Sequence, residues 1–223
     1  MTRTVLAIGA HPDDEVLGVG GTLAKHAEAG DDVHTLIVTE GATQQYDDPD
    51  MIDQKRSEVE QCARRLGVEH VHHAGLPDMQ LDTVPHVELN AVLEEAIDTV
   101  EPDLVYTHGS TDVNLDHTAV YESTLVATRP QSGVERVLAY EVPSSTDWTG
   151  GENGWFSPSV FIDITDQLET KLHAFDAYES ERRSFPHPRS SEAIRARSRS
   201  RGVSAGFEAA EAFRLVRAYQ STV

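Results

Sequence analysis

Val5-Leu6-Ala7-Ile8-Gly9 runs straight into Ala10-His11-Pro12-Asp13-Asp14-Glu15. The first five residues read as a buried strand. The next six place one imidazole and two adjacent carboxylates on a short loop at its end. Pro12 holds His11 extended, which helps the loop turn several side chains into one crevice. Val16–Ala29 then has helical spacing through Val16, Leu17, Leu23, Ala24 and Ala27, and stops at Gly30. Strand, polar loop and helix form the first half of a βα unit, and the pattern repeats downstream.

Val33–Thr39, Val68–His73, Asp103–Thr107 and Val134–Val142 read as further strands. Met51–Leu66, His86–Val100 and His117–Thr128 read as the helices between them, stopped by Gly67, Pro102 and Arg129-Pro130. Repeated βα units with apolar strands predict a mostly parallel sheet covered on both faces. The expected fold is a Rossmann-like three-layer α/β sandwich in one domain spanning 1–223. Residues 1–142 make its regular core. In 143–223 the chain predicts a long loop over Pro143–Pro158, an edge strand at Val160–Ile164, and helices over Thr165–Ser180, Glu192–Arg201 and Phe207–Tyr219.

In such sheets, ligands bind outside the carboxyl ends of the strands, where strand order reverses. A second cluster, Asn114-Leu115-Asp116-His117, follows the fourth strand. His11 and Asp14, three apart, can face one metal ion, with Asp13 turned elsewhere to hold the metal's water. His117 completes three ligands. A catalytic zinc site uses three protein ligands and leaves a fourth position open. The competing reading makes Asp13 and Asp14 simple helix caps. Glu15 either supports a ligand or favours the positive end of the helix. Gly18-Val19-Gly20-Gly21 lies inside the helical pattern and is no dinucleotide fingerprint; tight helix–sheet packing is its expected role. His70, His72 and His73 are expected to be ordinary polar residues.

Charge sets the surroundings. The chain carries 38 acidic and 18 basic residues, a formal net charge of -20, and its lysines are Lys25, Lys55 and Lys171. A field of this sign repels nucleic acid and anionic membranes. It fits adaptation to a high-salt cytoplasm, where self-repulsion is screened. Asp31-Asp32 and Asp47-Asp48-Pro49-Asp50 are expected as solvated loops. Cys62 is the single cysteine, so there is no internal disulfide. No apolar run approaches the roughly 20 residues of a membrane helix, and the N-terminal apolar run is too short for a secretory signal. The expected location is cytoplasmic.

These motifs resemble the PIG-L/LmbE-like family of zinc-dependent de-N-acetylases. Ala10–Glu15 matches that family's opening motif residue for residue. Arg56, Glu58, Leu66-Gly67-Val68 and Gly75-Leu76-Pro77-Asp78 follow its pattern, and Asp112–His117 is similar to one variant of its second metal motif. Phe185-Pro186-His187-Pro188-Arg189-Ser190 and Ala210-Glu211-Ala212-Phe213 resemble the tail of the same subgroup. The resemblance implies metal ligands His11, Asp14 and His117, general base Asp13, and zinc or another divalent ion. Asp116 sits within the second motif and belongs with the catalytic set. Asn114 stands where the family usually has a histidine that stabilises the oxyanion, so the donor is either Asn114 or His108. Arg56, Asp78, His187 and Arg189 are expected substrate contacts. The implied reaction removes an N-acetyl group from an amino sugar or sugar conjugate of the N-acetylglucosamine type. The implied partner is that small substrate, and family members often form homo-oligomers. The alternatives are a metal-dependent phosphoesterase, which needs two ions and bridging ligands, and a non-catalytic sugar-binding relative.

One test follows from the charge alone. Screening of acidic self-repulsion raises the melting temperature between low ionic strength and molar salt. Thermal melts across a potassium chloride series measure it, and a melting temperature indifferent to salt returns the acidity to that of an ordinary acidic protein.

Overall fold

The computed structural model describes residues 2–42, 44, 50–151 and 154–220. The expected loop at 47–49 lies outside the described residues, while Asp50 precedes a helix.

The chain alternates β1 (Thr4–Gly9), α1 (Asp14–Glu28), β2 (Asp32–Thr39), α2 (Met51–Leu66), β3 (His70–Leu76), α3 (His86–Val100), β4 (Leu104–His108), α4 (Leu115–Ala127) and β5 (Arg136–Tyr140). It then adds β6 (Val160–Asp163), α5 (Leu168–Phe175), α6 (Ser191–Ala205) and β7 (Ala210–Ala218). The strands form one seven-stranded sheet in the order β3-β2-β1-β4-β5-β7-β6. Strands β1 to β5 run parallel, and β7 pairs antiparallel with both β5 and β6. The chain winds outward from β1 to β3, then returns to lay β4 on the other side of β1. The order therefore reverses between β1 and β4, and both motif loops leave the sheet at that point.

Alternation along the central strands builds two cores. Val5 and Ala7 of β1 face a layer made by α1, α2, α5 and α6, where Val16, Leu23, Val59, Leu172 and Ile194 are buried. Leu6 and Ile8 face α3 and α4, through Leu89, Leu93, Ile97 and Val120. Period-2 side chains on both faces of a covered sheet give the continuous apolar runs seen in the sequence.

The glycine run of α1 serves packing, as its place in the helical pattern predicts. A Cβ on Gly18 would meet the Tyr140 ring at 2.2 Å, and one on Gly21 would meet Ile164 at 2.8 Å. The absence of side chains lets β5 and the end of β6 approach the helix backbone. A buried ion pair enters the same gap. Glu211 accepts from the amides of Gly21 (2.9 Å) and Thr22 (2.7 Å), and Lys171 donates to Glu211 (2.5 Å) and to the Leu17 carbonyl (2.8 Å).

The C-terminal region departs from its expected form. Phe207–Tyr219, expected as a helix, contains instead the nine-residue strand β7. Its first four residues, Ala210–Phe213, are all buried. Strand β5 offers an open edge, and β7 fills it while bridging to β6. Pairing on both sides outweighs the helix preference of an Ala-, Glu-, Leu- and Arg-rich segment. The expected helix over Thr165–Ser180 is shorter, covering Leu168–Phe175.

Gly18→Ala therefore forces Tyr140 or α1 to move. Overpacking of this kind typically costs about 1–3 kcal/mol, read as a lower denaturant midpoint. A midpoint equal to wild type would show that the ring yields freely.

Candidate metal and catalytic site

The loop after β1 and the start of α4 meet at the switch point. Asn114 caps α4 with its side-chain oxygen, accepting from the Asp116 amide at 2.9 Å. That cap sets the first turn, so Asp116 and His117 face the β1 loop. Asp13 precedes α1 in the left-handed region, at φ 109°, and makes no side-chain cap. The capping reading of Asp13 does not hold, and its carboxylate is left for the site. Asp tolerates this conformation better than most residues, and strained backbone of this kind clusters at functional sites.

Three donor atoms converge. His11 Nδ1 lies 3.2 Å from His117 Nε2 and 3.3 Å from Asp14 Oδ2, and His117 Nε2 lies 3.3 Å from Asp14 Oδ2. The triangle is nearly equilateral. Bonds of 2.0–2.1 Å in tetrahedral geometry place ligands about 3.3–3.4 Å apart, so one face of a zinc tetrahedron fits these positions. Asp14 Oδ1 is buried with no hydrogen-bond partner among the described residues, a lone pair that a bound cation would satisfy.

Carboxylates set the tautomers. His11 Nε2–H donates to Asp116 Oδ2 at 3.1 Å, leaving Nδ1 toward the site. His117 Nδ1–H is directed at Asp112 Oδ2, 3.2 Å away, leaving Nε2 toward the site. Asp116 is itself anchored by the Leu81 amide (3.0 Å) and Asp112 by Thr146 (2.7 Å). Partners of this kind orient metal-binding imidazoles and raise their basicity. Asp112 acts here through a hydrogen bond that spacing does not reveal. The signal was only its place five residues before His117.

Electrostatics follow from burial and from these pairs. Burial presses His11 down, but Asp116 and Asp14 override it and lift its pKa to about 10. Burial likewise opposes the charged form of His117, while Asp14 and Asp112 raise it to about 9. Burial favours protonation of Asp14, yet His117, His108 and His11 hold it well below the carboxylate range. The carboxylates thus create strong affinity for positive charge at the point where the lone pairs meet, and a dication competes there with protons.

Asp13 lines a cleft beside this centre, together with His11, Asn114, Lys55, Glu181 and Arg189. Burial raises its pKa well above the ordinary value, against the pull of Arg189. Arg189 lies 3.0 Å from Asp13 Oδ2 and donates to Glu181 at 2.8 Å, and Lys55 donates to Glu181 at 2.5 Å. Lys55 and Glu181 are functional neighbours that the motifs did not flag. The scarcity of lysine was the available signal, since a buried lysine in an acidic chain needs a buried partner. Glu15 is buried under the loop, accepts from Tyr178, and is pushed up by burial to about 7.

The remaining expected site residues are dispersed. His108 is fully buried behind the centre, stacked on His117 at 4.0 Å, and its Nε2 accepts from the Ala10 amide at 2.8 Å. Burial and the neighbouring His117 charge lower its pKa to about 4. Asp78 is also fully buried, with Oδ1 3.6 Å from His11 Nε2, so it sits behind His11 rather than in the open cleft. Arg56 is exposed and lines a separate groove beyond Pro12, with Glu40 and His73; the structure does not bring it to Asp13. His187 accepts from the Arg189 amide at 3.1 Å and meets the edge of Trp148, so it positions Arg189.

Fold and site together define an α/β protein with a candidate metal site at its switch point. The model of the PIG-L family, GlcNAc-PI de-N-acetylase, matches residues 6–128, and the chain belongs to this family. An Escherichia coli (strain K12) protein named as the uncharacterized deacetylase YaiS is 31% identical over 187 residues, covering 80% of this chain and 91% of that protein. Diacetylchitobiose deacetylase of Thermococcus kodakarensis is 28% identical over 189 residues, covering 80% of this chain and 70% of that protein. The crystal structure of the conserved protein TT1542 from Thermus thermophilus superimposes with a TM-score of 0.79 at 26% identity, covering 99% of this chain and 98% of that one.

The orienting carboxylates yield a test of the centre. Asp112→Asn weakens zinc affinity by about 10–100-fold, and His117→Ala removes most of the ion from purified protein. Chelator competition and elemental analysis give the two readouts. Unchanged metal content in His117→Ala removes that residue from the ligand set.

Proposed function

We propose that this chain is a metal-dependent hydrolase that removes the N-acetyl group from an amino sugar or sugar conjugate of the N-acetylglucosamine type. The observation that carries the reading is the triangle of His11, Asp14 and His117 donor atoms at tetrahedral spacing, with Asp13 in the adjoining cleft. Family membership and relatives such as diacetylchitobiose deacetylase support the reaction class. The whole chain, 1–223, acts as one deacetylase domain in this reading.

His11, Asp14 and His117 would hold the ion, zinc by donor set and spacing, with another divalent ion able to substitute. Bound there, it supplies Lewis-acid polarisation of the acetyl carbonyl and lowers the pKa of water to about 7. Asp13 takes the proton from the water that attacks the carbonyl carbon. Its buried position makes it a better base than an exposed aspartate, and Arg189 partly offsets the burial and fixes its direction. As the C–N bond breaks, Asp13 returns the proton to the leaving amine, so acetate and a free amino sugar result. Arg189 is held by Glu181, which Lys55 holds in turn.

Asn114 is the better placed second donor to the oxyanion. Its side-chain amide nitrogen sits at the cleft, 3.8 Å from Met79 sulfur, while its oxygen caps α4. His108 Nε2 already accepts a backbone amide and has no proton to give at that atom. Its role is to hold the loop through the Ala10 amide and to back the His117 ring by stacking. The sugar would meet Arg189 and Lys55 in the cleft, with Trp148 in the groove on the far side of Asn114. The acidic surface fits a salt-rich cell interior: Lys55 and Lys171 are buried, which leaves arginine to carry nearly all exposed positive charge.

Asp13→Asn separates binding from chemistry. The variant keeps its metal and its fold, and its release of acetate from N-acetylglucosamine conjugates falls by about 10²–10⁴-fold, the usual contribution of a general base. Turnover within a few-fold of wild type means that another group takes the proton.

A further inference from the structure

At the opposite end of the sheet from the cleft, β2 opens with Asp32-Val33-His34 and the edge strand β3 with His70-Val71-His72. His34 and His70 are register partners in the parallel pair. Period-2 alternation puts His72 on the same face as His70. The three imidazoles therefore stack: His34 on His70 at 4.4 Å between centroids and 18°, and His34 on His72 at 5.3 Å and 7°. Asp32 lies beneath them, with Oδ1 3.2 Å from His34 Nε2 and 3.4 Å from His70 Nε2.

We propose that Asp32, His34 and His70 form a second divalent-metal site, distinct from the catalytic centre and selective for a transition ion such as zinc. One donor atom from each of the three residues lies within 4.8 Å of the other two. The two carboxylate–imidazole separations match the ligand spacing of a tetrahedral ion, about 3.3–3.4 Å. Because two nearly parallel rings cannot both aim an in-plane lone pair at one ion, binding turns the exposed His70 ring out of the stack about its Cβ–Cγ bond. Two imidazoles and one carboxylate suit zinc, nickel or copper, and not calcium or magnesium, which take oxygen. His72 supplies the outer support. Its Nε2 lies 3.0 Å from His34 Nδ1, so accepting the Nδ1 proton of His34 turns the Nε2 lone pair toward Asp32. A net charge of -20 raises the local concentration of any dication.

The site joins two strands. Asp32 and His34 belong to β2, and His70 belongs to β3, which among the described residues pairs with no other strand. An ion held by all three pins the sheet edge, and β3 leads directly into the loop that carries Asp78 behind His11. The role is a structural clamp, and it stands whether or not the deacetylase reading does.

The test uses zinc alone as probe, in a protein from which the catalytic centre has been disabled. Metal-stripped His117→Ala is titrated with zinc chloride against a chromophoric chelator and followed by thermal melts. It binds one ion per chain, and its melting temperature rises as zinc exceeds the dissociation constant. Adding His70→Gln, an exposed position whose change leaves the core intact, lowers zinc affinity at least tenfold and abolishes the rise. Asp32→Asn in the same background does likewise. Equal zinc binding in His117→Ala and His117→Ala/His70→Gln overturns the proposal, as does a His117→Ala protein that binds no zinc.

Discussion

The carboxylate of Asp14 is the point on which the site depends. One oxygen, Oδ2, lies within 3.4 Å of ring nitrogens from His11, His108 and His117, and also accepts the His11 amide at 2.8 Å. These groups come from the β1 loop, β4 and α4, so a single buried charge ties together the three segments that meet where strand order reverses. Burying that charge costs several kcal/mol unless it is compensated. Compensation requires imidazolium protons or a cation at the same place. The demand for charge balance and the capacity to bind a metal are one property of this geometry.

The same logic extends outward through buried ion pairs. Lys171 and Glu211 sit against the backbone of α1, and Lys55 and Arg189 flank Glu181 beside Asp13. Each pair is costly to desolvate and strongly destabilising if one member is removed. The glycine run in α1 makes the first pair possible, because only a helix face without side chains admits a carboxylate to its amides. The second pair keeps the wall of the cleft charged but ordered, so Asp13 meets a fixed guanidinium. An acidic chain that keeps two of its three lysines inside is using them for architecture, and leaves its surface to carboxylates and arginine.

Much of the centre was legible before any coordinates. His11-Pro12-Asp13-Asp14 ends a strand of unmistakable apolarity, and the spacing of His11 and Asp14 on one turn nearly forces them toward a common point. Helix α2 and helix α3 run between the residues that periodicity and Gly or Pro stops indicated. Strand β7 was not legible. Ala210, Phe213, Leu215 and Val216 fit a helical stripe as well as an extended one, and local propensity favours the helix. The outcome turned on an open edge of β5 that no local pattern encodes. Arg56 and Lys55 illustrate the same limit at a site: adjacent in sequence, they fall on different sides of α2, and only the buried one reaches the cleft.

What the sequence determined by itself is what depends on short range: the strand–loop–helix units, the His- and Asp-bearing loop after β1 and the sign of the surface field. These follow from side-chain period, turn chemistry and counted charge. What only the tertiary structure decided is which distant groups share a desolvated volume. Asp112 and Asp116 behind the two imidazoles, Arg189 against Asp13, Glu211 within α1, and His34 stacked on His70 are contacts between segments far apart in the chain. Their energies depend on burial and on sub-ångström separation. Both quantities exist only once the sheet has brought the strands together.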